Sequence, residues 1–288
     1  MNTNKHSKLE MLVSADWLNQ HLDDEGLVIL DCSVNTVMED GGGYHNESGF
    51  ETYQQGHIPG AGFADLTDQL CDSHLDIEFA MPDAEAFCTA MGKLGVGDNS
   101  SVVLYDRFFS AWAARVWWML RWVGFDRAAI LDGGLNAWLA GGRPLITGTV
   151  SRSVQKLTPE LRPELIADKK EVLSAINSEK VQIIDTLPDI YYRGEQSLYA
   201  RPGHIPGAVN ISALNLLDES GCYLPLDTLE ALHSGNKNAR NITYCGGGIA
   251  ASSNAFTMLR LGYTDVAVYT ASLQEWAADP EAPMEVSA

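Results

Sequence analysis

In the stretch ITYCGGGIAAS, residues 242–252, a cysteine stands between a β-branched, aromatic run and three consecutive glycines, with small helix-compatible residues after them. Strand, thiol, glycine turn and helix in that order put Cys245 at the carboxyl edge of a parallel sheet, where open α/β proteins bind ligands. Gly246, Gly247 and Gly248 carry no side chains and tolerate positive φ, so their N–H groups can curl into a cradle around whatever sits at the sulfur. The helix beginning near Ile249 adds the positive end of its dipole, worth up to ~2 kcal/mol to a partly buried anion. Both effects favour the thiolate, the nucleophilic form of cysteine. A structural cysteine beside a glycine turn is the plainer alternative, and three glycines in a row count against it.

Other uses of the same glycines fail on context. Gly246, Gly248 and Ala251 fit G-x-G-x-x-A, but a dinucleotide site needs an acid at the end of the next strand, and VAVYT (266–270) ends in Thr270. No GK[ST] follows, which excludes a Walker-type phosphate loop.

The elements that must position the thiol occur twice. GHIPGA appears at 56–61 and again at 203–208, an offset of 204 − 57 = 147 residues between its histidines. Each copy follows a short apolar run ending in Asp, LVILD (27–31) and VQIID (181–185), which reads as a buried parallel strand. Downstream, SVVLYD (101–106) matches NITYC (241–245), MLRWVGF (119–125) matches MLRLGY (258–263), and ILDGGLNAW (130–138) matches VYTASLQEW (268–276). Short apolar strands alternating with helical patterns such as AWAARVWWMLRWVG (111–124) predict an α/β fold, each half a parallel sheet with helices on both faces. The tryptophans of that helix, Trp112, Trp117, Trp118 and Trp122, are expected in core and interdomain packing. Domains are expected over 9–145 and 163–288, joined by a Gly-, Pro-, Ser- and Thr-rich linker around 145–162.

With these segments in place the chain resembles the rhodanese superfamily, specifically its two-domain sulfurtransferases acting on thiosulfate or 3-mercaptopyruvate. The resemblance implies tandem rhodanese-like domains, the second catalytic and the first inactive, and the position matching Cys245 is Asp106, a carboxylate that cannot hold a sulfane sulfur. It implies a Cys245 persulfide formed from a small anionic sulfur donor and discharged to a thiol, cyanide or a thioredoxin-like acceptor, without metal or cofactor. The loop from Gly246 to Ile249 and Ala250 would bind the transferred group. An uncharged CGGG loop is similar to the mercaptopyruvate group rather than to the thiosulfate specialists, which tend to carry basic loop residues. Two departures stand out: Gly247 occupies the place of that group's loop hydroxyl, and Thr270, Ala271, Ser272 and Leu273 differ from the usual DGS-W segment. Arg193 and Arg201 resemble carboxylate-binding arginines, and His57 resembles a histidine facing the site across the domain interface, with His204 its copy. A Cdc25-type phosphatase would need a longer loop ending in Arg, and position 251 is Ala. A non-catalytic sulfur-carrier or interaction module is the remaining alternative.

Composition fits this picture. A formal charge of −19 over 288 residues argues against nucleic acid and anionic membranes as partners. Local donors can still serve a small anion, because exposed charges beyond about 8 Å are screened at physiological salt. No apolar run approaches the roughly 20 residues of a membrane span, and the first residues lack a signal-peptide pattern. Five scattered cysteines without a CxxC pair predict reduced thiols and a cytoplasmic protein.

Overall fold

The computed structural model describes residues 9–39 and 43–287. The first half contains β1 (Leu12–Val13), β2 (Leu27–Asp31), β3 (Val34–Met38), β4 (Tyr44–Ser48), β5 (Ala61–Phe63), β6 (Ser101–Tyr105) and β7 (Ala128–Leu131). The second contains β8 (Ile166–Ala167), β9 (Val181–Asp185), β10 (Val209–Asn210), β11 (Arg240–Tyr244) and β12 (Asp265–Tyr269). The first sheet has the order β1-β7-β6-β2-β5 and the second β8-β12-β11-β9-β10, all parallel, so the two halves share one topology. β6 and β11 are the central strands, and they deliver Asp106 and Cys245 to equivalent sheet edges. The hairpin β3-β4 is antiparallel and belongs to the first half alone.

Both faces of each sheet are covered. Along β2 and β6, Val28, Leu30, Val102 and Leu104 face one core while Leu27, Ile29, Val103 and Tyr105 face another, as the period of two requires. The first of these cores is shared with the second half: it contains helix Ala111–Trp122 and helix Ile249–Arg260, which meet where the Trp117 and Phe256 rings contact edge-on at 5.0 Å. Trp112, Trp117 and Trp118 are buried in it, and Trp122 is half-buried against it. A third core backs the second sheet.

The duplication reaches individual hydrogen bonds. His57 and His204 each use Nδ1 on the carbonyl of a tyrosine, Tyr53 at 2.9 Å and Tyr192 at 2.7 Å, and each ring stacks on that tyrosine. Tyr53 and Tyr192 in turn donate to Ala61 and Ala208 at 2.7 Å. Residues 147–162 form no helix or strand, yet they are laced to the first half: Gln155 N–H to Gly92 O at 2.9 Å, Glu160 N–H to Val123 O at 2.8 Å, and Arg162 N–H to Trp122 O at 2.9 Å. All five cysteines are free thiols.

Candidate active site

Cys245 directly follows β11, and Gly248 with φ of 81° turns the chain into helix Ile249–Arg260. The Gly248 N–H donates to Cys245 Sγ at 3.2 Å. The segment after β12 fixes the loop from behind. Ser272 Oγ accepts the Cys245 N–H at 3.1 Å and donates to Tyr269 O at 2.6 Å, while the N–H groups of Leu273 and Gln274 donate to Cys245 O at 3.1 Å and Gly246 O at 3.0 Å. Ser272 does this at φ of 50°, a left-handed conformation that costs a non-glycine residue roughly 1–3 kcal/mol. Its two hydrogen bonds offset that strain, so the segment that departs from the family pattern in sequence is the one that braces the loop.

The three glycines each face a different neighbour. A Cβ on Gly246 would collide with the Tyr199 hydroxyl; one on Gly247 would lie 2.6 Å from Gln274 Nε2 at the end of a flexible side chain; one on Gly248 would lie 2.8 Å from Thr270 O and 2.9 Å from an Arg115 Nη. These neighbours close over the thiol, and Cys245 is only 2% exposed. Part of the cover comes from the first half, where the Glu78 N–H donates to Gln274 Oε1 at 2.7 Å and Asn46 Nδ2 donates to the Glu78 carboxylate at 3.1 Å.

Arg115 is the residue that sequence reasoning missed. It lies on helix Ala111–Trp122 of the first half and is completely buried. One Nη donates to Phe79 O at 2.8 Å; the other Nη and Nε have no partner among the described residues. Burial pushes its guanidinium down to about 10, with the neighbouring Cys245 and Cys71 side chains opposing the fall, so it is a cation at neutral pH. A buried, unpaired cation calls for an anion, and it lies beside Gly248 of the cysteine loop. The signal in the sequence was an arginine with apolar residues all round it in AWAARVWW.

Several expected site residues are engaged elsewhere. Arg201 is a structural staple: its guanidinium donates to Ala277 O at 3.0 Å, Ala282 O at 2.7 Å, Trp276 O at 3.0 Å and Asp279 O at 2.5 Å, which ties down the chain's last residues and leaves no fork for a carboxylate. His57 is fully buried within the first half, its Nδ1 on Tyr53 O and its backbone bridged to Ile146, while Nε2 has no partner among the described residues. Ile249 is a core side chain and Ala250 packs beside it; both offer the loop only main-chain N–H groups, which lack helical acceptors in a first turn. Arg193 is half-exposed and pairs with Asp189 at 3.0 Å and Glu195 at 2.9 Å.

One half thus presents a thiol where the other presents a carboxylate at the equivalent strand end, which defines an α/β protein built by duplication. The rhodanese-like domain family matches residues 14–141 and 168–279, and the chain belongs to that family. The 3-mercaptopyruvate sulfurtransferase of Escherichia coli (strain K12) is 32% identical over 284 residues, 95% of this chain and 97% of that one. The 3-mercaptopyruvate sulfurtransferase of Homo sapiens is 32% identical over 234 residues, 78% of each chain. The crystal structure of SseA from Escherichia coli, a 3-mercaptopyruvate sulfurtransferase with the rhodanese fold, superimposes with a TM-score of 0.80 at 31% identity, covering 91% of this chain and 98% of that one. Among the described residues no helix is long and apolar enough to cross a membrane.

Proposed function

We propose that this protein is a sulfurtransferase that moves a sulfane sulfur from 3-mercaptopyruvate, in preference to thiosulfate, through a Cys245 persulfide to a thiol, cyanide or thioredoxin-like acceptor. The observation that carries the reading is the Cys245 sulfur on the Gly248 N–H, beside the unpartnered buried guanidinium of Arg115. Main-chain dipoles and one fixed cation in a water-poor site favour the thiolate and then the persulfide without reorganisation during the reaction. The thiolate attacks the donor sulfur; the bond from that sulfur to the donor breaks with its electron pair leaving on the donor, and the outer sulfur remains on Cys245. An acceptor thiolate then attacks the outer sulfur and regenerates the Cys245 thiolate. Reduced cysteines suit this chemistry in a reducing compartment such as the cytoplasm.

The preference for 3-mercaptopyruvate rests on the uncharged loop, which leaves recognition of the donor's charge to side chains outside it. Arg193 is the half-exposed candidate; a donor carboxylate would displace Asp189 or Glu195 from it. Initial rates with the two donors test this. The expected result is a higher kcat/KM for 3-mercaptopyruvate, with Arg193→Ala lowering it by about one to two decades and affecting thiosulfate less. A wild-type preference for thiosulfate would overturn the donor assignment, and no turnover with either donor would make the protein a sulfur carrier rather than an enzyme.

A further inference from the structure

The loop carries no hydroxyl of its own, since residues 246–248 are all glycine, and the nearby serines are committed: Ser252 Oγ donates to Gly248 O at 2.7 Å and Ser272 Oγ donates to Tyr269 O. A hydroxyl nevertheless reaches the cradle from outside. Tyr199, on the segment between the Asp189–Tyr192 helix and the second GHIPGA, lays its oxygen against Gly246 so closely that only glycine fits there. The phenol of Tyr44, which opens β4 in the hairpin of the first half, lies near enough for the two hydroxyls to influence each other. Burial pushes the Tyr199 phenol far above its ordinary range, with the Tyr44 and Cys245 charges adding to the rise, so the group keeps its proton. A neutral phenol beside the cysteine loop is a proton donor in waiting.

The chemistry of the proposed donor requires a proton at this place. When the thiolate takes sulfur from 3-mercaptopyruvate, the C–S bond breaks and its electron pair stays on carbon. The leaving group is the enolate of pyruvate, which becomes pyruvate only when a proton reaches it. Thiosulfate differs, because its leaving group is sulfite, which departs with the S–S electron pair and needs no proton.

Resting on the sulfurtransferase reading of Cys245, we infer that the Tyr199 hydroxyl, lying against Gly246 of the loop, hydrogen-bonds the departing enolate and protonates it. The step balances. Cys245–S⁻, HS–CH2–CO–COO⁻ and the Tyr199 phenol give Cys245–S–SH, CH3–CO–COO⁻ and the Tyr199 phenolate; the donor sulfur is oxidised to the sulfane level and the methylene carbon is reduced to methyl. The phenolate then takes the persulfide proton, which restores Tyr199 and leaves the persulfide anion on the loop N–H groups. No outside reductant or oxidant enters. The proton donor is thereby placed on a loop that packs against the first half, and not in the catalytic loop itself.

The test is Tyr199→Phe in the full chain, assayed with 3-mercaptopyruvate and with thiosulfate against cyanide, together with the rate at which iodoacetamide alkylates Cys245. The expected result is a loss of kcat of about 100-fold with 3-mercaptopyruvate. KM should stay within about threefold, and thiosulfate turnover and alkylation within about twofold. Tyr44→Phe should show the same selectivity with a loss of about tenfold. Equal losses with both donors, or a changed alkylation rate, would make Tyr199 a packing residue and overturn the proposal, as would unchanged 3-mercaptopyruvate turnover. Failure of the underlying reading would show in the wild-type protein, as absent 3-mercaptopyruvate turnover, whereas failure of the tyrosine's role would show only in the variants.

Discussion

The Asp106 and Cys245 loops answer the same structural problem with different atoms. Each follows the central strand of its sheet, and each ends in a left-handed residue, Ser110 with φ of 58° or Gly248 with φ of 81°, that starts a twelve-residue helix. In each, that residue's N–H donates to the side chain at the strand end: Ser110 to Asp106 Oδ1 at 3.0 Å and Gly248 to Cys245 Sγ at 3.2 Å. The first loop goes further, because Phe108 N–H also reaches Oδ1 and Ala113 N–H reaches Oδ2, both at 3.0 Å. Burial raises the Asp106 carboxyl, and these three N–H groups pull the other way. The carboxylate therefore fills its nest with its own two oxygens. The thiol, with one atom where the carboxylate has two, receives a single N–H, that of Gly248. The two loops share their backbone plan and differ in the number of N–H groups their strand-end side chain receives.

The strongest way to break this comparison is to make the second loop chemically like the first. Cys245→Asp should fold and melt as wild type does while losing at least about 1,000-fold in sulfur transfer, since a carboxylate cannot form a persulfide. Residual turnover near the wild-type level would sink the nucleophile assignment. The reciprocal Asp106→Cys should gain no activity, because its loop has four residues before the helix where the other has three.

An intermediate effect is expected at Arg115. Arg115→Met should slow Cys245 alkylation at neutral pH and lower kcat/KM for both donors alike by about 10- to 100-fold, which corresponds to roughly 1.4–2.8 kcal/mol of lost anion stabilisation. Stability should hold or rise, because replacing a buried charge by an apolar side chain of similar volume is often neutral or better. Unchanged alkylation would show that the cation does not act on the thiolate.

A separate effect, on stability rather than turnover, concerns the aspartates that end β2 and β9. Asp31 lies 3.4 Å from Arg107, whereas Asp185 has only the Leu187 N–H at 2.8 Å on one oxygen and no partner on the other. Burial raises the Asp185 carboxyl from 3.8 to about 7. The folded state thus holds this proton where the unfolded chain has released it, and the associated stability is full below about pH 4 and lost as pH rises through about 7. In that window the slope should approach about 1.4 kcal/mol per pH unit. Urea melts at pH 5 and pH 8 should show a smaller pH difference in Asp185→Asn than in wild type; equal differences would mean that the carboxylate is already ionised in the fold.

What the sequence made legible was contiguous or repeated. The parallel strands, the 147-residue duplication and the strand–Cys–glycine loop are each written in a few neighbouring residues, and the fold reproduces them. Arg115, Tyr199, Tyr44 and Ser272 were not legible as a group, because four separate segments, two from each half, bring them to one place. Arg201 looked like an anion clamp beside a GHIPGA motif, but its acceptors are carbonyls some 75 residues further along, and a carbonyl leaves no trace in sequence. Both GHIPGA histidines serve their own turns through Tyr53 and Tyr192, a pairing visible only once the rings are stacked.

The core shared by helices Ala111–Trp122 and Ile249–Arg260 makes the first half indispensable to the second. A fragment carrying only residues 163–288 would expose the Phe256 face to water, a sticky surface of the kind that drives aggregation, and would also lose the cation that faces its thiol. Nicking the backbone within 147–162 would not separate the halves either, since that segment is sewn to the first half and the helices clasp the second. The two copies have become a single body in which the first acts as a permanently bound subunit of the second, delivered in the same chain and at unit stoichiometry.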